Sequence, residues 1–213
     1  MALSFEALNS ETEGEIEPIG EDRSNLVIPP PQLIQHHPGV DFTLSLLTYD
    51  IAPTGLQDLP AALNRSTPIS DIIDDHGGYH GFAKWNVSWR YNSEKNGDQC
   101  QLEDISVEVE AEIITPKIYD RDEVDTLTQV AFDQFHVALL THEYGHIDFG
   151  ILAANEIYDT FNGYTSDIDC SLLEIQANLK AIEILAEYLK LEREYDEDTE
   201  HGRTQGAYIW DYL

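Results

Sequence analysis

Residues 142–146 read His-Glu-Tyr-Gly-His, and these residue types at this spacing suit metal-dependent hydrolysis. On a helix, His142 and His146 project from one face about one turn apart. Their imidazoles can therefore share one zinc ion. Glu143 faces the open coordination position, where a carboxylate can act as a general base toward a water molecule. The segment predicts two zinc ligands and a base, and a catalytic zinc site needs a third protein ligand.

The third ligand has to come from a later part of the chain. In the metzincin pattern it is a histidine at position 152, but Leu152 stands there and excludes that class. A carboxylate on the next predicted helix is one alternative, because Glu183 and Glu187 fall near the level of His146 on a returning helix. The other alternative is His201, which follows that helix and can fold over the site. The residues alone leave both alternatives open.

The segment around the motif has the apolar period of a helix. One apolar stripe runs through residues 124–161, and an Asn-Gly pair then ends it. A second stripe follows, with Ser171 as the predicted N-cap, Glu174 at capping-box spacing, and a gradual end near Tyr195. Two long helices joined by a short loop predict an antiparallel helical hairpin.

Upstream of the helices the pattern is typical of strands. Residues 41–49 are rich in β-forming types, and residues 82–91 alternate aromatic with polar side chains. Residues 102–114 alternate again after a polar turn at 92–97, which predicts an antiparallel hairpin that Pro116 ends. The predicted fold class is α+β, with a small antiparallel sheet packed on the helical hairpin that carries the metal.

The first 38 residues differ in composition from the rest of the chain. Residues 1–38 combine acidic side chains with three consecutive prolines, which is typical of a flexible tail, so we expect one folded domain over residues 39–213. The chain has 41 acidic and 11 basic residues and a net charge of −30. Such a surface repels nucleic acid and anionic membranes, so neither is an expected partner. No apolar run approaches the roughly 20 residues that span a bilayer.

The two cysteines, Cys100 and Cys170, lack the CxxC spacing of a cysteine zinc site. On the residues alone they form either one disulfide or two buried free thiols. The first 28 residues contain no basic stretch followed by an apolar one, so they do not resemble a standard signal peptide. A cytoplasmic location therefore stays open.

Four parts of the chain together resemble a known bacterial family. They are the aromatic strand at 85–91, Cys100, the motif at 142–146, and Cys170 with the helix and ending that follow it. The ending, residues 195–206, reads Tyr-Asp, two residues, Thr, one residue, His-Gly, two residues, Gln-Gly. The family has no assigned function and is grouped, as predicted secreted zinc-dependent proteases, with the zincin-like peptidases. The resemblance covers roughly residues 40–207 and is much more specific than the HExxH motif alone.

The resemblance implies a functional role for the ending, and it makes His201 the first choice for the third zinc ligand. It also implies a disulfide between Cys100 and Cys170 and a secreted or periplasmic location. Within the ending, Tyr195 is a candidate donor to the oxyanion, as is Tyr144 in the motif. Asp196 and Asp198 are candidates to orient His201 from behind.

Two functions from different classes follow from these residues. The first is a metallopeptidase with one zinc ion per chain, a peptide or protein substrate, and Glu143 as general base. The alternative is a catalytically inactive, zinc-stabilised binding protein, in which the cleft is closed or side chains fill all four metal positions. Four side-chain ligands on the zinc would support this alternative.

Overall fold

The computed structural model describes residues 3–6, 17–18, 33–69, 73–74, 77–166 and 169–213. The strands in these ranges are β1 (Leu3–Glu6), β2 (Glu17–Pro18), β3 (Val40–Ile51), β4 (Ile73–Asp74), β5 (Gly77–Gly78), β6 (Phe82–Asn96), β7 (Gln99–Ile118) and β8 (Thr165–Ser166). The α-helices are α1 (Leu59–Ser66), α2 (Thr126–Phe161) and α3 (Cys170–Thr199). The chain thus has the α+β composition that the sequence predicts.

Strands β6 and β7 form the predicted antiparallel hairpin. The turn between them is tight, with Gly97 in the left-handed region at φ 66°. Alternate side chains of β6 are buried under the helices, namely Trp85, Val87, Trp89 and Tyr91. The prediction that Pro116 ends the second strand is wrong, because β7 continues to Ile118. Beyond Ile114 strand β7 pairs with β3 and no longer with β6, so a residue without an N–H is tolerated there.

The sheet is mixed, which corrects the predicted antiparallel sheet. Its strand order is β1-β6-β7-β3-β2, with β8 added to β7. Strand β3 runs parallel to β7 along its whole length, from the pair Val40 and Val107 to the pair Ile51 and Ile118. Apolar alternation shows that a segment is a strand, but it contains no information on the direction of its neighbour. Strand β3 pairs with β7, the strand of the hairpin that lies farther from it in sequence, so no tight turn between the two strands fixes the direction of β3.

Both long helices begin at an aspartate that caps their first backbone N–H groups. Asp125 accepts hydrogen bonds from the backbone N–H groups of Leu127 and Thr128 at the start of α2. Asp169 caps α3 by accepting from the backbone N–H of Ser171 at 2.9 Å. The predicted N-cap, Ser171, is therefore wrong by two residues, because the aspartate upstream supplies the capping oxygen.

Helices α2 and α3 pack antiparallel, as predicted, but α3 is displaced along α2. His142 lies opposite Tyr195 and His146 lies opposite Glu192. If the two helices stay paired in this way as far as Phe161, where α2 ends, about the first two turns of α3 project beyond the end of α2. These turns pack on the sheet instead, and the predicted disulfide between Cys100 and Cys170, confirmed here, ties them to β7.

Two buried clusters hold the sheet and helices together. The larger lies between the β6–β7 hairpin and the α2–α3 pair and includes Trp85, Val109 and Ile147. The smaller lies around α1 and the first half of α2 and includes Leu63 and Phe135. Because Ile147 directly follows the HExxH motif, burial of that residue fixes which face of α2 the two histidines occupy.

The predicted tail, residues 1–38, falls mostly outside the described residues. Residues 3–6 pair with β6, and residues 17–18 pair with β3. Residues 33–38 follow the surface of α2, where the backbone N–H of Ile34 donates to Asp148 at 2.9 Å. Among the described residues, no helix is long and apolar enough to cross a membrane.

Candidate metal centre

Helices α2 and α3 bring three potential metal ligands together. The Nε2 atoms of His142 and His146 are 3.2 Å apart. The Oδ1 atom of Asp196 lies 3.2 Å from Nε2 of His142 and 3.1 Å from Nε2 of His146. The two histidines are buried and Asp196 is partly buried, so these three atoms form a compact triangle at the helix interface.

The other ring nitrogen of each histidine has its own partner. Nδ1 of His142 lies 2.9 Å from Oε1 of Gln205, and Nδ1 of His146 lies 3.1 Å from Oε1 of Glu192. Since both partner atoms are acceptors, each Nδ1 is placed to donate a hydrogen bond to its partner. The Nε2 atoms face Asp196, and a metal-binding histidine uses the ring nitrogen that its hydrogen-bond partner leaves over.

Charge in this centre is balanced between Asp196 and the histidines. Burial raises the pKa of Asp196, but the hydrogen bonds with His142 and His146 outweigh it and hold that pKa well below its usual value. Burial lowers the pKa of His146, while the carboxylates of Asp196 and Glu192 raise it to about 10. Asp196 therefore stays ionised at neutral pH, and an anionic oxygen is available to a cation.

Glu143 is almost fully buried next to the two histidines, at 4% exposure. Its carboxylate packs against Gly81, where a Cβ atom would clash with Oε1. Burial raises its pKa to about 7, although the charges of His146 and His142 lower it. A carboxyl group with a pKa near 7 can both take up and release a proton at neutral pH, as a general base must.

The turn that follows α3 closes the centre. Glu200, His201 and Gly202 have positive φ angles of 50°, 53° and 82° and turn the chain sharply back. Gly202 packs on the ring of His142, where a Cβ atom would lie 2.8 Å from Cγ. The short 3-10 helix Arg203–Gln205 then returns Gln205 to the Nδ1 atom of His142.

Tyr195 packs against both histidines. Its ring stacks on His142 with the centroids 5.2 Å apart and meets His146 edge-on at 5.3 Å. Its hydroxyl donates to the backbone oxygen of His142 at 3.2 Å and accepts from Nε2 of Gln205 at 3.0 Å. The hydroxyl that the sequence suggested as an oxyanion donor is thus engaged within the protein, and Tyr144 is buried in the larger cluster.

The other candidate residues lie outside the triangle. The side chain of His201 is 48% exposed, and its Nδ1 atom is 3.6 Å from Oδ1 of Asp196. Asp198 is exposed on the same stretch of chain. Glu183 and Glu187 are exposed on α3, well before Glu192, which is the residue opposite His146. The displacement of α3 accounts for this. The sequence prediction assumed that α3 starts level with the end of α2, and it therefore selected residues about two turns before the ones that lie opposite the histidines.

The sequence patterns do not predict the roles of three residues of the centre. Asp196 was expected behind His201 and instead joins the histidines. Glu192 was not identified, although it precedes Asp196 by four residues and so shares its helix face. Gln205 belongs to the ending that carries the family resemblance, but its role becomes clear when the turn at 200–202 is known.

The chain belongs to the family described as "Bacterial protein of unknown function (DUF922)", which matches residues 46–202. The match includes the HExxH segment, Asp196 and the turn that packs on His142, and it ends before Gln205. No curated protein and no solved structure matches the chain. The disulfide is typical of extracellular and periplasmic proteins.

Proposed function

We propose that this protein is a zinc-dependent peptidase that holds one zinc ion per chain with His142, His146 and Asp196. The observation that carries the proposal is the convergence of three ligand atoms, each within 3.2 Å of the other two, beside the buried carboxyl group of Glu143. Glu192 and Gln205 hold the two imidazoles in the required tautomer from behind.

The spacing of the three atoms fits a tetrahedral zinc site. Zinc lies about 2.0–2.1 Å from histidine nitrogens and carboxylate oxygens, which puts neighbouring ligand atoms of a tetrahedron about 3.3 Å apart. The separations of 3.1–3.2 Å between His142, His146 and Asp196 agree with that value. Imidazole ligands also favour zinc over magnesium and calcium, which prefer oxygen ligands alone.

A three-residue ligand set supports a catalytic site over a purely structural one. Structural zinc sites have four protein ligands, whereas catalytic sites keep one position for water or substrate. Within the described part of the chain, no fourth His, Cys, Asp or Glu joins the group. The ligand set thus suits the peptidase and does not match a binding protein whose side chains fill all four positions.

Glu143 supplies the proton transfers. When bound, zinc lowers the pKa of a water molecule and polarises the scissile carbonyl group. As the water oxygen bonds to the carbonyl carbon, Glu143 accepts a proton from that water. The same proton then passes from Glu143 to the amide nitrogen as the C–N bond breaks.

The proposal is tested with Glu143→Gln, with Asp196→Asn and with Glu183→Gln as the exposed control on α3. We expect wild-type protein and the Glu143→Gln and Glu183→Gln variants to contain one zinc per chain by elemental analysis. Asp196→Asn should lose most of its zinc. Hydrolysis of a set of internally quenched fluorogenic peptides should persist in the control and fall at least about 1,000-fold in Glu143→Gln.

Two results would contradict the proposal. Full hydrolysis by Glu143→Gln would remove this residue from the mechanism. A wild-type protein that takes up no zinc, even after zinc is added back, would remove the peptidase reading altogether.

A further inference from the structure

His201 stands at the edge of the metal centre without belonging to the ligand triangle. Its side chain is half-exposed, and its Nδ1 atom is 3.6 Å from the Asp196 oxygen that faces the two histidines. The backbone N–H of His201 donates to the backbone oxygen of Asp196 at 2.8 Å, which fixes the start of the side chain. The imidazole is therefore held next to the centre, with part of its ring free to meet a ligand.

A segment upstream of β6 connects His201 with Glu143. The ring of Tyr79 contacts the ring of His201, with the centroids 4.9 Å apart. Gly81, two residues later, packs against the carboxyl group of Glu143. Two residues of extended chain span about 7 Å. His201 and Glu143 therefore contact the same short segment, residues 79–81, close to Asp196 and the histidine pair.

The backbone of His201 supports a specific role for this side chain. The residue has a φ of 53°, in the left-handed region that residues other than glycine rarely adopt. Glu200 before it and Gly202 after it are also left-handed, so the whole turn is fixed. Gly202 in turn packs on His142, which ties the position of the His201 ring to that of a metal ligand.

We propose that His201 is a further catalytic residue, which donates a hydrogen bond from its ring N–H to the carbonyl oxygen of the peptide bond under attack. This rests on the proposed peptidase function. It differs from the ligand role that the family resemblance implies, because the imidazole contacts the substrate and not the metal.

The reaction needs such a hydrogen-bond donor on the side of the substrate opposite the base, Glu143. When the water oxygen bonds to the carbonyl carbon, the C=O electron pair moves to the carbonyl oxygen, while the water proton passes to Glu143. The oxygen then carries negative charge until the C–N bond breaks and the carbonyl re-forms. An N–H group aimed at that oxygen stabilises the charge, and imidazole provides one N–H even when neutral.

The test compares two substitutions of His201 with Glu197→Ala, an exposed neighbour. His201→Gly removes the ring and tolerates the left-handed backbone, whereas His201→Gln restores an N–H donor of similar reach. We expect one zinc per chain in all three variants. For fluorogenic peptides, kcat should fall about 100-fold or more in His201→Gly with little change in KM, and His201→Gln should recover part of it.

A second measurement uses a phosphinic peptide, which imitates the tetrahedral, negatively charged species of the reaction. Its affinity should fall in His201→Gly by about the same factor as kcat/KM, because both depend on the same hydrogen bond. If the role of His201 were purely structural, His201→Gly would weaken the binding of the phosphinic peptide no more than the binding of the substrate.

The outcomes separate this inference from the proposed function. Loss of zinc in both His201 variants would make His201 a ligand and overturn the inference. Wild-type kcat and phosphinic-peptide affinity in His201→Gly would overturn it as well, while the peptidase function would stand. A wild-type protein that binds zinc but neither cleaves peptides nor binds the phosphinic peptide would overturn both.

Discussion

At the scale of single residues, the absence of a side chain at Gly145 shapes the metal centre. Gly145 lies between Tyr144 and His146 in the motif, and a Cβ atom there would clash with the hydroxyl oxygen of Tyr195 and lie 2.5 Å from its Cζ atom. The phenol ring can stack on His142 because this space is empty. Position 145 of the motif is thus constrained by packing, although it binds no metal.

Gly145→Ala should therefore destabilise the protein and weaken zinc binding. Overpacking of this kind costs about 1–3 kcal/mol. The measurement is urea unfolding together with zinc affinity for Gly145→Ala, Tyr195→Ala and the double variant. In the Tyr195→Ala background the methyl group added by Gly145→Ala meets no ring, so Gly145→Ala should hardly lower the free energy of unfolding there. Equal costs in both backgrounds would show that Tyr195 does not constrain this position.

A second residue-scale prediction concerns acid stability. Burial lowers the pKa of His136 to about 4, although Asp133 raises it and Arg121 lowers it further. In the unfolded chain this pKa is about 6.5. The folded protein thus prefers neutral His136, and this contribution is complete above pH 6.5 and is lost as the pH falls toward 4. The full effect is about 3 kcal/mol.

The variant His136→Gln should lose less stability than wild type between pH 7 and pH 4.5. The free energy of unfolding in urea at the two pH values measures this, and His36→Gln, at an exposed position, is the matched control. The carboxylates contribute equally in all three proteins. Identical losses in His136→Gln and wild type would refute the prediction.

At the scale of elements, the displacement of α3 decides which residues reach the candidate metal centre. The N-terminal turns of α3 are held on the sheet by Trp89, whose Nε1 atom donates to Asn178 at 2.8 Å, and by Tyr91, whose hydroxyl donates to the backbone of Glu174 at 3.1 Å. This anchoring brings Glu192 and Asp196 level with the histidines, so contacts far from the candidate metal centre select the residues that form it.

The disulfide between Cys100 and Cys170 should stabilise the protein through the same end of α3. It closes a loop over a separation of 70 residues, for which loop entropy predicts about 4 kcal/mol. We expect reduction to lower the free energy of unfolding in urea by about that amount. Trp89 and Tyr91 still hold α3 on the sheet after reduction, so zinc content should not change.

The variant Cys100→Ser/Cys170→Ser is the control for this prediction. Its stability should match that of the reduced wild type and should not respond to a reductant. If reduction left wild-type stability unchanged, the cross-link would have no role in holding α3 on the sheet.

The sequence predicts elements better than it predicts their relative positions. The helices, the hairpin and the motif histidines follow from local period and spacing, which short-range contacts determine. The direction of β3 and the displacement of α3 depend on long-range packing, which no local pattern contains. The role of Asp196 was missed for this reason, because its approach to His146 depends on where α3 starts.

At the scale of the whole molecule, the dominant property is a net charge of −30. The ion pairs among the described residues, such as Lys190 with Glu194 at 2.8 Å, are mostly exposed. Exposed pairs of this kind contribute little to stability. Repulsion among the acidic side chains therefore opposes the compact state.

Salt should accordingly stabilise the protein. Between 10 mM and 150 mM ionic strength the screening length falls from about 30 Å to about 8 Å, so we expect Tm to rise by several degrees in a thermal melt. Because screening depends on ionic strength, NaCl and KCl should act equally. A Tm that stays constant or falls would mean that the acidic residues are already too far apart to repel one another.

The contact between Glu192 and the sheet connects the candidate metal centre to the fluorescence of a tryptophan. Oε1 of Glu192 accepts hydrogen bonds from both Nδ1 of His146, at 3.1 Å, and Nε1 of Trp85, at 3.2 Å. Indole fluorescence responds to charge next to the ring, and Trp85 is buried at 4% exposure. A cation that settles on His146 changes the charge that this carboxylate presents to the indole. We therefore expect zinc titrations to be measurable by intrinsic emission, without a dye or a substrate.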